Sequence, residues 1–361
     1  MLLHDEIFEQ PDALSRVLAY NTVVAGLARD LLTAAGTTHA VIAARGTSDN
    51  AARYAKYVWG TELSVPVTLA APSLYTRYDD PPNLAGAAVV GISQSGQSPD
   101  LLAVLEEARR QERPTIAIVN EVDSPLADLA NVVVPLHAGT EHSVAATKSY
   151  TTSLLAVAMI AGGGSSLSAV PDFVRDVLAV EPQIAAEAAR LGPVDKAVVL
   201  GRGYNHATAF EWALKLQEMA YVFAHGFSTA DFAHGPFAVL EPGFPVLSAV
   251  PDGPTAADSL AILRRARDEG GADVSLITNI TDTGIEGVPT PTVPEAVSPI
   301  TFIAAAQLFT LHMALARGVD PETPRGLRKV TKTSCRLRHG VSGRRDATTL
   351  RPWPSCDLSQ T

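Results

Sequence analysis

Hydroxyl and amide side chains cluster where a short apolar stretch gives way to a helical pattern. The segment GISQSGQSPDLLAVL, residues 91–105, contains five of them, and four are candidate ligand contacts: Ser93, Gln94, Ser95 and Ser98. Ser98 suits the N-cap of a helix and Pro99 suits its first position. Backbone N–H groups and the helix dipole favour an anion at such a turn. The segment therefore predicts a phosphate-binding turn without a lysine, and a well-capped polar turn is the competing interpretation.

A second hydroxyl-rich turn is ARGTSDN, residues 44–50, which also follows an apolar stretch and precedes a helical pattern. Thr47 and Ser48 would join the first turn, because the carboxyl ends of parallel strands meet at one edge of a sheet. Two such turns in one unit weigh against simple capping. Neither contains the G-x-G-x-x-G fingerprint, and GRGYNH at 201–206 lacks its third glycine. We therefore expect no dinucleotide cofactor.

Three charged residues are spaced i, i+4 and i+7 along AFEWALKLQEMAYVFA, residues 209–224. Glu211, Lys215 and Glu218 would share one face of this predicted helix. The simplest interpretation is an exposed ion pair worth roughly 0.2–0.5 kcal/mol. The rest of the helix is almost wholly apolar, however, and burying a charge is costly. A carboxylate here could move a proton between C1 and C2 of a sugar, with a general acid to open the ring.

Two further segments hold candidate residues whose default interpretation is structural. STADFAHGPFAVLEPG, residues 228–243, places His234 before a Gly-Pro pair, and a lone histidine is more often a structural hydrogen-bonding residue than a catalyst. DPETPRGLRKVTKT, residues 320–333, contains Lys329 near its basic end. On composition alone it is a surface arm.

The elements that must position these residues alternate in type. Apolar stretches that predict buried strands lie at 39–44, 87–93, 114–120, 132–136, 196–203, 244–250 and 273–279. Helical patterns separate them, and a further helix is expected over about 11–35. Alternation of this kind predicts parallel sheets covered on both faces. The Gly/Ser segment 161–171 divides the chain into two α/β units of similar size.

Composition excludes several classes of protein. The chain has 361 residues, a formal net charge of -10 and two cysteines, Cys335 and Cys356, and a pI of about 5.4. This acidity argues against nucleic acid or an anionic membrane as a main partner. Two late cysteines predict neither a disulfide framework nor a cysteine metal site. The acidic beginning, MLLHDEIFEQPDAL, does not resemble a signal peptide, so we expect a cytoplasmic protein.

Taken together, the motifs resemble the SIS (sugar isomerase) family. In particular, the chain is similar to the isomerase half of glutamine–fructose-6-phosphate aminotransferase and to the deaminases built from that half. The matching pieces run in order from Met1 to about Thr331: HDEIFEQPDAL, ARGTS, SQSGQSPD, AGTEHSVAATKSYT, GRGYNHATAFEWALKLQE, DFAHGP and DPETPRGLRKVT. The resemblance implies two SIS domains, each a flavodoxin-like three-layer unit with a parallel sheet. We expect domains over 1–163 and 172–333, a linker at 164–171 and a disordered or foreign tail at 334–361.

The resemblance also implies roles for residues that match the family motifs. It assigns sugar and phosphate binding to eight positions: Thr47, Ser48, Ser93, Gln94, Ser95, Ser98, Ala145 and Ala146. Glu218 would move the C1–C2 proton, with Lys215 and Glu211 as its polar partners. His234 would open the sugar ring in the neighbouring subunit, which implies a homodimer. Lys329 would reach the carbonyl carbon and form a Schiff base. No metal or cofactor is implied.

Some positions depart from the family pattern. Arg45 stands where the synthase has a cysteine, Gln217 replaces a lysine and Asp231 replaces a glutamate. The sequence contains no residues for the glutaminase domain, so we expect no synthesis from glutamine. The favoured activity is conversion of glucosamine-6-phosphate to fructose-6-phosphate and ammonia. A lyase acting on N-acetylglucosamine-6-phosphate and a non-catalytic sugar-phosphate sensor remain alternatives. The gluco or galacto configuration stays open.

Overall fold

Ten strands form two separate sheets in the part of the chain that the computed structural model describes, residues 1–78 and 80–329. The first sheet contains β1 (His39–Ala43), β2 (Val67–Leu69), β3 (Ala87–Ser93), β4 (Thr115–Val119) and β5 (Val132–Pro135). The second contains β6 (Lys196–Gly201), β7 (Phe223–Ser228), β8 (Pro245–Val250), β9 (Asp273–Thr278) and β10 (Gly287–Pro289). The expected tail, residues 334–361, lies outside the described residues.

The two sheets share one topology. Their strand orders are β2-β1-β3-β4-β5 and β10-β9-β8-β6-β7, and every neighbouring pair is parallel. Counted from its own first strand, each sheet has the doubly wound order 2-1-3-4-5 of flavodoxin-like folds. The register in the first sheet sets Ile42 of β1 opposite Leu69 of β2 and Val90 of β3. The expected architecture, two α/β units that each contain a flavodoxin-like parallel sheet flanked by helices, is confirmed.

Helices cover both faces of each sheet. Their bounds are α1 (Leu2–Phe8), α2 (Gln10–Tyr20), α3 (Thr22–Thr33), α4 (Thr47–Glu62), α5 (Ser73–Thr76), α6 (Pro99–Arg110), α7 (Pro125–Asp128), α8 (Lys148–Ala161), α9 (Val170–Ala179), α10 (Glu181–Leu191), α11 (His206–Ala220), α12 (Thr229–Ala233), α13 (Ala256–Asp268) and α14 (Ser298–Ala316). Successive β1 side chains alternate between two cores, since Ile42 packs in the large central cluster and Val41 packs in a second cluster with Leu101 of α6. This alternation explains why both faces of the strand are apolar.

One long apolar helix lies at the centre of the protein. Over Glu295–Ala316 it is long and apolar enough to cross a membrane by length and composition, and 83% of its most apolar window is buried inside the protein. Helix α14 packs against α11, α10 and α9. Phe309 meets Trp212 of α11 edge to face, with ring centroids 5.3 Å apart. Packing within the core therefore accounts for its composition.

The prediction of a single N-terminal helix over 11–35 is wrong. The structure has two helices there, Gln10–Tyr20 and Thr22–Thr33, and a third helix, Leu2–Phe8, precedes them. The break between α2 and α3 is at Asn21, whose side-chain amide donates a hydrogen bond to the Pro135 carbonyl at 2.6 Å. That bond anchors the helical run to the end of β5.

The segment expected to be the linker is not irregular throughout. Residues Gly164–Ala169 form a 3₁₀ helix, and α9 begins at Val170 with Pro171 in its first turn. Pro171 is thus compatible with the start of a helix, where its missing N–H removes no hydrogen bond. The domain boundaries drawn from the sequence stay predictions.

Candidate active site

Both hydroxyl-rich turns lie beside the point where the strand order of the first sheet reverses. The turn at 44–46 follows β1 and leads into α4, and the turn at 94–98 follows β3 and leads into α6. Strands β1 and β3 are neighbours, while their connections leave to opposite sides of the sheet. In doubly wound sheets, the crevice outside the carboxyl ends at this switch point is the usual ligand site.

A cavity of about 360 Å³ opens at this edge. Nine of the residues predicted from the sequence line it: Thr47, Ser48, Ser93, Gln94, Ser95, Ser98, Ala146, Glu218 and Lys329. The others include Arg45, Glu141, Ser149, Tyr150, Ser153 and Arg328. Ala145 is buried and does not line the cavity. The first sheet therefore supplies a hydroxyl-rich wall, and α11 and the C-terminal segment supply charged groups.

The conformation of the turn after β3 depends on Gly96 and on a hydrogen bond within the turn. Gly96 has φ +63°, and a Cβ there would lie 2.1 Å from the Ser124 hydroxyl oxygen, so only glycine fits. The Gly96 N–H donates to the Ser93 hydroxyl at 3.0 Å. Ser98 is the N-cap residue of α6, as predicted, but its side chain makes no capping hydrogen bond. Capping therefore does not account for the Ser98 hydroxyl at the cavity wall.

A buried charge network lies beneath the cavity floor. The Glu211 carboxylate accepts hydrogen bonds from the Thr47 hydroxyl at 3.0 Å and from the Asn50 amide at 2.8 Å. Lys215 Nζ lies 3.4 Å from Glu211 and also contacts the Glu218 carboxylate. Glu211 and Lys215 are fully buried, whereas the Glu218 side chain is 24% exposed. Glu218 thus presents its carboxylate to the cavity, and its contact with the buried Lys215 fixes the position of that carboxylate.

Burial and neighbouring charges compete in this network, with different outcomes for its members. Burial raises the pKa of Glu211 to about 7, against the lowering effects of Lys215 and the Asn50 hydrogen bond. For Lys215, burial alone would lower the pKa, but the negative charges of Glu218 and Glu211 outweigh it and raise the pKa above its usual range. Lys215 therefore stays protonated and supplies a permanent positive charge beside Glu218.

Lys329 has a partner that sequence reasoning missed. Its Nζ donates to the Glu141 carboxylate at 2.7 Å and to the Ser143 carbonyl at 2.6 Å. Glu141 is itself fixed by the backbone N–H groups of Thr147 and Ser149, at 2.9 and 3.0 Å. Burial raises its pKa, but Lys329 and these N–H groups outweigh burial and hold the pKa below its usual value. The AGTEHSVAATKSYT motif contained this glutamate, and its isolated charge in a polar loop was the available signal.

His234 is not brought together with the other predicted residues. It is exposed at the end of α12 and does not line the cavity. Its ring Nδ1 lies 2.8 Å from the Ala230 carbonyl, which fixes the ring orientation. The structure of one chain therefore leaves His234 facing solvent.

Arg45 links the two hydroxyl-rich turns. Its guanidinium lies 2.7 Å from the Asp100 carboxylate in the first turn of α6. The Arg45 side chain is 51% exposed, whereas Asp100 is buried. The departure from the family pattern at this position thus adds a cation at the cavity wall. Within the described ranges, no group of three or more His, Cys, Asp or Glu residues could hold a metal ion.

Comparisons with known proteins agree on the fold and on the motifs. A family model for the SIS domain matches residues 34–162 and 191–317. The chain is 33% identical over 342 residues to the glutamine–fructose-6-phosphate aminotransferase [isomerizing] of Pyrococcus horikoshii, covering 90% of this chain and 56% of that protein. It therefore spans about half the length of the curated relatives it matches.

Two solved structures are similar along nearly their whole length. The C-terminal domain of glucosamine-fructose-6-phosphate aminotransferase from Francisella tularensis superposes with a TM-score of 0.79 at 26% identity, covering 90% of this chain and 98% of that one. Glucosamine-6-phosphate deaminase from Thermotoga maritima superposes with a TM-score of 0.75 at 21% identity, covering 92% and 100%. The second likeness is one of fold alone.

Proposed function

Since the chain belongs to the SIS domain family, we propose that it is an amino-sugar-6-phosphate deaminase/isomerase that converts glucosamine-6-phosphate to fructose-6-phosphate and ammonia. The family resemblance drawn from the motifs is confirmed by the match over residues 34–162 and 191–317. Relationship to sugar-phosphate isomerases supports an enzyme. What we propose beyond this is the specific substrate, the deamination and a cytoplasmic location.

One observation carries this proposal: Glu218 and Lys329 line the same cavity as the hydroxyl-rich turns after β1 and β3. Hydroxyls and helix N-termini suit a phosphate. A carboxylate and an amine on the same cavity suit a sugar whose reacting carbons are C1 and C2. The cavity volume, about 360 Å³, is in the range of small-molecule sites.

The proposed reaction begins after ring opening exposes the C1 aldehyde. Glu218 removes the C2 proton, the electron pair moves to the C1 oxygen, and that oxygen takes a proton from water. Glu218 then returns its proton to C1, which leaves a C2 iminium. The Lys329 amine then adds to C2 and ammonia leaves, which exchanges one imine for another. Water hydrolyses the lysine imine, gives the C2 ketone of fructose-6-phosphate and frees Lys329. Lys215, fixed between two carboxylates, holds the Glu218 carboxylate in place.

The alternatives differ in what they require of these side chains. A sensor requires only the phosphate turns, so the Glu211–Lys215–Glu218 network supports an enzyme over a sensor. A lyase acting on N-acetylglucosamine-6-phosphate would also use Glu218 at C2, but it would expel water from C3 and keep the nitrogen as an amide. Such a lyase has no step in which an amine replaces nitrogen at C2.

An NMR assay with glucosamine-6-phosphate and its N-acetyl derivative side by side tests the proposal. We expect fructose-6-phosphate and an equal amount of ammonia from the first substrate, and no reaction of the second. Consumption of the N-acetyl sugar without ammonia release, with glucosamine-6-phosphate untouched, would establish the lyase instead. A galacto-configured pair run in parallel decides the configuration at C4.

We further propose that the active form is a homodimer in which His234 opens the sugar ring in the partner's cavity. The exposed position of His234, outside its own chain's cavity, supports this arrangement. The test mixes inactive Glu218→Gln and His234→Ala proteins under conditions of subunit exchange. Random exchange makes half of the dimers mixed, and each has one intact site, so up to about a quarter of wild-type activity should return.

The control in this experiment is each variant exchanged with itself, which should stay inactive. Subunit exchange is verified by native mass spectrometry of differently tagged chains. If mixed dimers form and no activity returns, His234 does not act across the interface.

A further inference from the structure

The helix that carries Glu218 ends in an unusual backbone conformation. Helix α11 closes at Tyr221, the residue after Ala220, which has φ 55° and ψ 33°. Glycine or asparagine commonly occupies this left-handed position after a helix. A tyrosine there is sterically unfavourable and persists where surrounding contacts compensate for it. Such outliers are common near ligand clamps and active sites.

Backbone hydrogen bonds from Tyr221 and Val222 to the Leu216 carbonyl close the helix. The Tyr221 side chain contacts the C-terminal arm, which we define as residues 320–329. The Arg325 guanidinium carbon lies 4.0 Å from the centroid of the Tyr221 ring. The Arg325 backbone N–H also donates to the Tyr221 hydroxyl at 2.9 Å. One tyrosine thus holds the arm through both its ring face and its hydroxyl.

The Tyr221–Arg325 contact lies close in sequence to two charged residues that line the cavity, Glu218 and Lys329. Tyr221 follows Glu218 by three positions, and Arg325 precedes Lys329 by four. The arm is also fixed at its start, where Glu322 accepts a hydrogen bond from the Leu3 backbone N–H at 3.2 Å. The Tyr221–Arg325 contact therefore links the end of α11 to the arm close to Lys329.

We propose that Tyr221 and Arg325 are positioning residues that fix Lys329 opposite Glu218. The inference rests on the proposed function, because it assigns Lys329 a step that follows the Glu218 step. The end of the arm is held by the Lys329 hydrogen bonds to Glu141 and Ser143, and the weaker Tyr221–Arg325 contact adds to its docking. The docked fraction then sets how often Lys329 is in place, while Glu218 remains on the rigid helix.

The test uses two variants that remove different halves of the contact. Arg325→Ala removes the guanidinium and keeps the backbone hydrogen bond. Tyr221→Phe removes the hydroxyl and keeps the ring. Arg265→Ala is the matched control, because Arg265 lies over Phe237 at 4.2 Å in a similar exposed stack elsewhere.

Three readouts are measured in each full-length variant. Hydrogen exchange of residues 320–329 without substrate reports arm docking and does not depend on any activity. With glucosamine-6-phosphate, ammonia release reports the Lys329 step, and deuterium incorporation at C2 in D₂O reports the Glu218 step. For Arg325→Ala we expect faster exchange of the arm, ammonia release reduced roughly 2- to 5-fold and C2 incorporation close to the wild-type value. Tyr221→Phe should show smaller changes of the same kind, and the control none.

Unchanged hydrogen exchange of residues 320–329 in both Arg325→Ala and Tyr221→Phe would overturn the inference. An equal loss of ammonia release and C2 incorporation would also overturn it. If the wild-type protein releases no ammonia, the proposed function fails. Hydrogen exchange still decides in that case whether the contact fixes the arm.

Discussion

Replacing Glu218 with glutamine should abolish deuterium incorporation at C2 of glucosamine-6-phosphate in D₂O. The side chain keeps its size and can still contact Lys215, whose second carboxylate partner, Glu211, remains at 3.4 Å. The variant therefore loses the base and keeps the fold. General-base catalysis contributes roughly 10²- to 10⁴-fold, so we expect incorporation and ammonia release to fall together by about that factor. NMR of the substrate C2 proton measures the first and an ammonia assay the second.

The matched control is Glu241→Gln. Glu241 also pairs with a lysine, Lys196, but on the surface, with its side chain 59% exposed. Surface ion pairs of this kind contribute roughly 0–1 kcal/mol, so both rates should stay at the wild-type value. C2 incorporation within tenfold of wild type in folded Glu218→Gln would show that another group removes the proton.

Central strands were predictable because their surroundings are uniform. Strand β3 is buried at every position, so its sequence is continuously apolar and has the signature of a parallel strand covered on both faces. Strands β2, β7 and β10 were not predicted, and all three are at sheet edges. They are short or half-exposed; β7, for example, alternates buried Ala224 with exposed Phe223 and His225. Their pairing depends on neighbours that a local pattern does not contain.

The end of α11 also could not be predicted from the local sequence. The helical pattern continues to 224, but the structure ends α11 at Ala220 and begins β7 at Phe223. Tyr221 turns the chain through a left-handed conformation that tyrosine rarely adopts. Its side chain contacts an arm about 100 positions later, a tertiary contact that the local sequence does not contain. Propensity therefore favoured the longer helix, and tertiary contacts overrode it.

The phosphate turns and the charge network differ in how far the sequence determined them. Each turn is local, so residue types and spacing indicated it directly. The roles of Lys215 and Glu211 came from the family resemblance, and their complete burial could not be deduced from spacing. Glu141 meets Lys329 across 188 positions, so no local pattern links them. Which charges share a site is determined by packing between the two units.

Replacing Lys329 with alanine should stop ammonia release and leave C2 deuterium incorporation within about tenfold of wild type. In the proposed reaction, Lys329 acts after Glu218 has removed the C2 proton, so proton exchange can continue while the imine has no amine to replace its nitrogen. Without Lys329, C2 loses both its attacking amine and the electrostatic stabilisation from that side chain, so ammonia release should be lost almost completely. Trapping the wild-type lysine imine with borohydride, followed by mass spectrometry of the peptide containing Lys329, measures the same event directly. Lys196→Ala, at an exposed lysine, is the control.

The variant also leaves Glu141 buried without its ammonium partner, and removal of one member of a buried pair costs roughly 3–5 kcal/mol. A structural role for Lys329 would therefore also lower activity. The double variant Lys329→Ala/Glu141→Gln separates the two explanations, because it removes both charges while a side-chain oxygen remains to accept the Ser149 N–H, now 3.0 Å from Glu141. If Lys329 forms the imine, the double variant folds as stably as the wild type and still releases no ammonia. If ammonia release returns, Lys329 serves only to balance the charge of Glu141, and the deamination chemistry proposed for it is wrong.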